Sequence, residues 1–133
     1  MCCTKRRNKT YPLLPFSQLV FDMTRWAPWV YMFEVRWCWH GQKKELQRIE
    51  SAILQVLNHH PVFNMYVDTH GYQSYQSSPA TMKGQYYAVR LWTKGEDVYC
   101  RFRWSRILGD GKSMYIFFEN VIRAYRGEEL PSD

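Results

Sequence analysis

Two periodicities meet across one short corner near the end of the chain, and that meeting limits the fold more than any other feature. Val98, Cys100, Phe102 and Trp104 alternate with Tyr99, Arg101, Arg103 and Ser105. Period-two spacing of this kind sets one face of a strand against a core. Met114, Phe117, Phe118, Val121, Ile122 and Tyr125 then recur every three or four residues, the apolar stripe of a helix. Between them runs Arg103-Trp104-Ser105-Arg106-Ile107-Leu108-Gly109-Asp110-Gly111-Lys112-Ser113. A loop held by a strand on one side and a helix on the other is rigid, and such loops often carry chemistry. Gly109 and Gly111 bracket Asp110, so the backbone there can take positive φ angles. Asp110 or Ser113 can accept a hydrogen bond from the amides that open the helix. The bland reading of the stretch is a turn plus a helix N-cap.

The rest of the chain reads as a succession of short elements. Pro15 suits the first turn of a helix running to about Trp26, with Leu19, Val20 and Met23 as its apolar stripe. Trp29 to Trp39 alternates as a strand, with Phe33, Val35, Trp37 and Trp39 on one face and Glu34, Arg36 and His40 on the other; Gly41 closes it. Lys43 to His60 is a helix with Leu46, Ile49, Ile53, Leu54 and Leu57 on one stripe, ended by Pro61. Residues 62–67 predict a strand, Asp68 to Gly71 a hairpin turn, and Tyr72 to Gln76 the return strand. A polar loop, Ser77 to Gly84, precedes strands at Tyr86 to Trp92 and Val98 to Trp104, joined through Lys94-Gly95-Glu96-Asp97. Gly127 is placed to cap the last helix. This order predicts an α+β fold: a single, mostly antiparallel or mixed sheet with helices packed on one face.

With 133 residues, 46% of them hydrophobic and 17% aromatic, the chain is long enough for one packed domain. Residues 11–131 are taken as that domain, after a flexible basic tail over 1–10 that holds Lys5, Arg6, Arg7 and Lys9. The formal charge of +6 favours anionic partners without choosing among them. The four cysteines, Cys2, Cys3, Cys38 and Cys100, match no zinc-site spacing, so no metal is expected. Cys38 and Cys100 are expected as buried free thiols in strands, which fits a reducing, cytoplasmic compartment. No signal peptide or membrane span is expected, because Pro12 and Pro15 interrupt the apolar Leu13-Leu14. His59 and His60, adjacent at a helix end, point about 100° apart, which suits a helix-terminus role better than convergence on one ion.

The corner resembles the His-His-x-x-x-Asp-Gly motif of the condensation-domain superfamily. That group includes the condensation domains of nonribosomal peptide synthetases, chloramphenicol acetyltransferase-like enzymes and alcohol acyltransferases. Asp110-Gly111, followed by Ser113, stands for the second half of the motif. Its first His falls on Ser105 and its second, the catalytic one, on Arg106. Two weaker likenesses accompany it: the Pro-rich Tyr11 to Gln18 resembles the opening of condensation domains, and His60-Pro61 resembles the helix end before their next strand. The resemblance extends from about Tyr11 to Pro131 and implies the N-terminal lobe of a chloramphenicol acetyltransferase-like fold.

The resemblance implies acyl transfer to an amine or alcohol from a thioester on carrier-protein phosphopantetheine or coenzyme A, with no resident cofactor. The family's catalytic His needs an imidazole that accepts a proton or hydrogen bond near neutral pH. Arg106 stays protonated and only donates. Ser105 as a nucleophile would need a base, and none of His40, His59, His60 or His70 is close to it in sequence. The expectation is therefore a stand-alone, catalytically degenerate lobe, acyltransferase-like but inactive alone. The family's active site lies between two lobes, and this chain is expected to end after the first. Its partners are then a second lobe, a carrier protein or a copy of itself. Asp110, Gly111 and Ser113 are expected to be structural, with Asp110 paired to Arg106, Arg101 or Arg103. The rival reading is an RNA-binding or protein-interaction module: Lys83-Gly84-Gln85-Tyr86-Tyr87-Ala88-Val89 is similar to an RNP1-type strand, although Gln85 breaks the pattern.

Overall fold

The structure, a computed structural model, describes residues 11–12, 22, 32–109 and 111–132. The expected basic tail, the expected first helix apart from Asp22, the start of the strand expected from Trp29, and Asp110 lie outside the described residues. The elements are β1 (Tyr11–Pro12), β2 (Met32–Trp39), α1 (Leu46–His59), β3 (Met65–Val67), β4 (Tyr72–Tyr75), β5 (Tyr87–Lys94), β6 (Asp97–Ser105) and α2 (Gly111–Tyr125). Single 3-10 turns at Lys43–Glu45 and Pro61–Asn64 precede and follow α1. The α+β class follows directly from this order.

β6 is the middle strand of a three-stranded antiparallel sheet, ordered β2-β6-β5. Register sets Trp104 between Phe33 and Tyr87, and Phe102 between Val35 and Val89. Val98, Cys100, Phe102 and Trp104 are all at most 1% exposed, so the alternation in the sequence marks the covered face. The helices cover that face: Ile49, Ile53, Val56 and Leu57 of α1 and Met114, Phe117, Phe118 and Val121 of α2 share one core with it. Phe102 is the centre of this core. Its ring lies 4.7 Å from Phe117, 5.8 Å from Trp104 and 6.1 Å from both Phe63 and Tyr87, centroid to centroid. Burying each such side chain stabilises the fold by about 1.5–3 kcal/mol.

Among the described residues, the strands divide into two sheets rather than the single sheet expected. The second sheet is ordered β1-β4-β3. Pro61 is one reason: its fixed φ starts a 3-10 turn, with Phe63 N–H donating to the His60 carbonyl at 3.2 Å. The strand expected over 62–67 therefore begins only at Met65, and Phe63 turns inward to the core instead. Gln85 is the other reason. Its amide accepts from Val67 N–H at 2.8 Å and donates to the Val67 carbonyl at 3.0 Å. A side chain thus satisfies both ladder groups that a neighbouring strand would have taken.

Turns and caps follow their sequence signals. Asp68 Oδ1 accepts from the N–H groups of His70 and Tyr72 at 2.8 and 3.0 Å, closing the β3–β4 hairpin. Gly127, at φ +77°, ends α2, and Glu128 N–H reaches back to the Arg123 carbonyl at 2.9 Å. Among the described residues, no helix is long and apolar enough to cross a membrane.

Candidate functional site at the strand-to-helix corner

β6 ends at Ser105 and α2 begins at Gly111, so the corner joins the central strand to the last helix as the two periodicities require. Ser105 was expected on the open face with Tyr99, Arg101 and Arg103. It is instead 1% exposed, because the chain is already turning there. Ser105 N–H donates to the Tyr86 carbonyl at 2.7 Å, and Leu108 N–H donates to the Ser105 carbonyl at 3.0 Å. Its hydroxyl oxygen accepts from Ile107 N–H at 3.3 Å. These bonds make Ser105 a turn-former.

Arg106 is half-buried at the outside of the turn. Its guanidinium carbon lies 5.3 Å from the centre of the Phe33 ring, and Phe33 lies 5.1 Å from the Trp104 ring. A cation over an aromatic face is held by the ring quadrupole, worth about 0.5–1 kcal/mol where solvent reaches it. Ile107 points the other way, into a small cluster with Met65 and Val67 of β3. The corner therefore touches both sheets.

Gly109 is where the turn needs glycine. Its φ is +153°, and a Cβ there would stand 2.8 Å from Ser113 Oγ and 3.2 Å from Ser113 Cβ. The Trp104 indole N–H donates to the Gly109 carbonyl at 3.3 Å. Gly111 opens α2 without a positive φ and faces open space. Asp110 lies outside the described residues. Of the arginines proposed for it, Arg103 and Arg101 point to Glu34 across the open face of the sheet, with Nε to oxygen distances of 2.7 and 3.9 Å. Arg36 approaches the same carboxylate at 2.9 Å. The Arg103 hydrogen bond, aided by Arg36, holds the Glu34 carboxyl below its ordinary value against a smaller opposing effect of desolvation.

Two cavities flank the first turns of α2. One, of about 250 Å³, is lined by Phe33, Trp37, Trp104, Gly111, Met114 and Tyr115 among others. The other, of about 190 Å³, includes Leu108, Ser113, Ile116 and Phe117, and also His60. Sequence reasoning missed that His60 and Ser113, 53 positions apart, line one cavity; no local pattern signals it. His60 Nε2 lies 3.1 Å from the amide nitrogen of the buried Asn120. His59 Nε2 instead lies 2.5 Å from the Pro131 carbonyl oxygen. The adjacent histidines diverge, one joining α1 to α2 and the other joining α1 to the final segment.

The backbone arrangement is shared with solved proteins. The X-domain in complex with OxyB from teicoplanin biosynthesis matches at TM-score 0.78 and 15% identity, over 96% of this chain and 35% of that one. The chain has the fold of the condensation-domain superfamily. The starter condensation domain of rhizomide synthetase RzmA matches at TM-score 0.74 and 14% identity, over 95% of this chain and 40% of that one. The first condensation domain of the CDA synthetase gives 0.71 and 13%, over 95% and 42%. The chain thus spans well under two thirds of these condensation-domain relatives in fold, and only 16% of the nonribosomal peptide synthetase FmoA3. No family model matches the sequence, and no curated protein does.

Proposed function

We propose that this chain is an acyltransfer lobe that lacks its own proton acceptor and works against a second lobe or partner chain. The observation that carries the reading is Arg106. It stands at a strand-to-helix corner of the condensation-domain fold, at the position where the motif resemblance requires the catalytic imidazole. A guanidinium supplies donors and fixed positive charge, so it can steady an oxyanion but cannot take a proton from an amine or alcohol. The acyl donor in this reading is a thioester on carrier-protein phosphopantetheine or coenzyme A, and no resident cofactor is needed. A reducing compartment suits the free thiols of Cys38 and Cys100.

The need for a second surface is supported by α2. Tyr115 is 79% exposed and Ile116 48% exposed, directly after the corner. Large exposed apolar groups in adjacent positions near the start of a helix favour a covering partner. The experiment is sedimentation of the chain with the excised C-terminal lobe of a condensation domain. A complex that is weakened by Tyr115→Glu supports the reading; two species that sediment independently at high concentration oppose it.

A second reading rests on the uncovered sheet face. Arg36, Arg90, Arg101 and Arg103 share it with Trp92 and Tyr99, whose rings stack at 5.7 Å and 15°. Cations beside stacked aromatics suit single-stranded RNA. The RNP1-like segment does not add to it, because Tyr87 is buried and its hydroxyl donates to the Thr81 carbonyl at 2.7 Å. Binding of single-stranded RNA that falls steeply with salt would favour this reading over the lobe.

A further inference from the structure

At the end of β2 remote from the corner, three side chains of metal-ligand type meet from distant parts of the sequence. Cys38, in β2, and His40, the residue just after its end, are two positions apart. Pairing of Trp39 with Val98 brings the start of β6, Asp97, beside His40. Cys38 Sγ lies 3.6 Å from His40 Nδ1, and His40 Nδ1 lies 3.7 Å from Asp97 Oδ2. All three ligand atoms fall within 4.8 Å of one another. Around a tetrahedral zinc, with Zn–S about 2.3 Å and Zn–N and Zn–O about 2.0 Å, neighbouring ligand atoms stand roughly 3.3–3.6 Å apart. Two of the three edges therefore already have nearly the length that coordination demands.

The surrounding backbone holds the carboxylate in place. Asp97 Oδ1 accepts from Gly41 N–H at 2.8 Å, which leaves Oδ2 as the oxygen turned to His40. Lys43 N–H donates to the Glu96 carbonyl at 3.0 Å and ties the same two loops together. Hydrogen bonds of this kind orient a ligand before the ion arrives.

We propose that Cys38, His40 and Asp97 form a zinc(II) site with its fourth position open to water. Cys38 binds as thiolate and releases its proton to solvent, His40 binds through Nδ1, and Asp97 binds through Oδ2. Thiolate, imidazole and carboxylate together suit zinc better than magnesium or calcium. The bound ion joins the end of β2 to the β5–β6 hairpin. The site is about 20 Å along β2 from the corner at ~3.3 Å per residue, so it stands or falls apart from the acyltransfer reading.

The test uses the full chain carrying Cys2→Ser and Cys3→Ser, so that the two N-terminal thiols cannot contribute. It is titrated with cobalt(II), then with zinc(II). The expected result is one equivalent of cobalt with a thiolate-to-metal charge-transfer band that zinc displaces, and a melting temperature that rises with zinc. Cys38→Ser abolishes the band. His40→Ala and Asp97→Asn each weaken binding by about tenfold or more. His40 is exposed, so its variant also serves if Cys38→Ser folds poorly. Absence of the band, its survival in Cys38→Ser, or unchanged affinity in His40→Ala would overturn the site.

Discussion

The indole N–H of Trp104 donates to the carbonyl of Gly109 across 3.3 Å, so the buried end of the central strand grips the far side of the corner that follows it. Gly109 in turn sits at φ +153°, close against Ser113. Gly109→Ala is expected to cost about 1–3 kcal/mol, because a Cβ must be accommodated at a backbone angle that side chains rarely adopt. Urea unfolding followed by Trp fluorescence measures it. The control, Gly111→Ala, faces open space at an ordinary angle and should be close to neutral or stabilising.

Phe102 is fully buried, with ring contacts to Phe117 and Phe118 of α2. Phe102→Ala is expected to lose about 3–5 kcal/mol through lost transfer energy and a cavity. Phe102→Leu should lose clearly less. Equal losses from the two, by denaturant titration, would mean that the core collapses freely around this position.

Glu34 is shared by Arg103, Arg36 and, at longer range, Arg101. Its folded carboxyl lies below its ordinary value. The proton therefore binds the unfolded chain more readily, and the stabilisation is full above the ordinary glutamate range. It fades as pH falls through the lower, folded value. Thermal melts of wild type and Glu34→Gln should differ most near neutrality and converge in strong acid. Added salt should narrow the gap, since the cluster faces solvent.

The Cys100 thiol is pushed up to about 12 by burial. It should resist maleimide or disulfide reagents in the folded protein, whereas the half-buried Cys38 reacts in metal-free protein. Mass spectrometry after a short pulse of reagent checks this, with full labelling of Cys100 only in denaturant.

Much of the fold was legible because β6 and α2 obey clean periods: every covered residue of β6 except Ser105, at its end, is one that alternation marks. The division into two sheets was not legible. It depends on Gln85 satisfying the backbone of Val67, a tertiary bond that looks in sequence only like a blemish in an aromatic strand. Alternation puts Ser105 on the wrong face because it cannot see where a strand starts to turn. The corner's position was readable from Arg103 to Ser113, while its gripping bond from Trp104 and its neighbour His60 were not, since both need the folded chain. The Cys38, His40 and Asp97 group is invisible in sequence for the same reason: the chain carries no ligand spacing, and strand pairing brings the three together across the sheet.

The most direct measurement is acyl transfer from a carrier-bound or coenzyme A thioester to an amine, compared between wild type and Arg106→His, each with and without an added second lobe. The account predicts no turnover by wild type under either condition, and turnover by Arg106→His only when the second lobe is present. Sustained turnover by the wild-type chain alone would contradict it, because a corner bearing a guanidinium would then be activating the acceptor unaided.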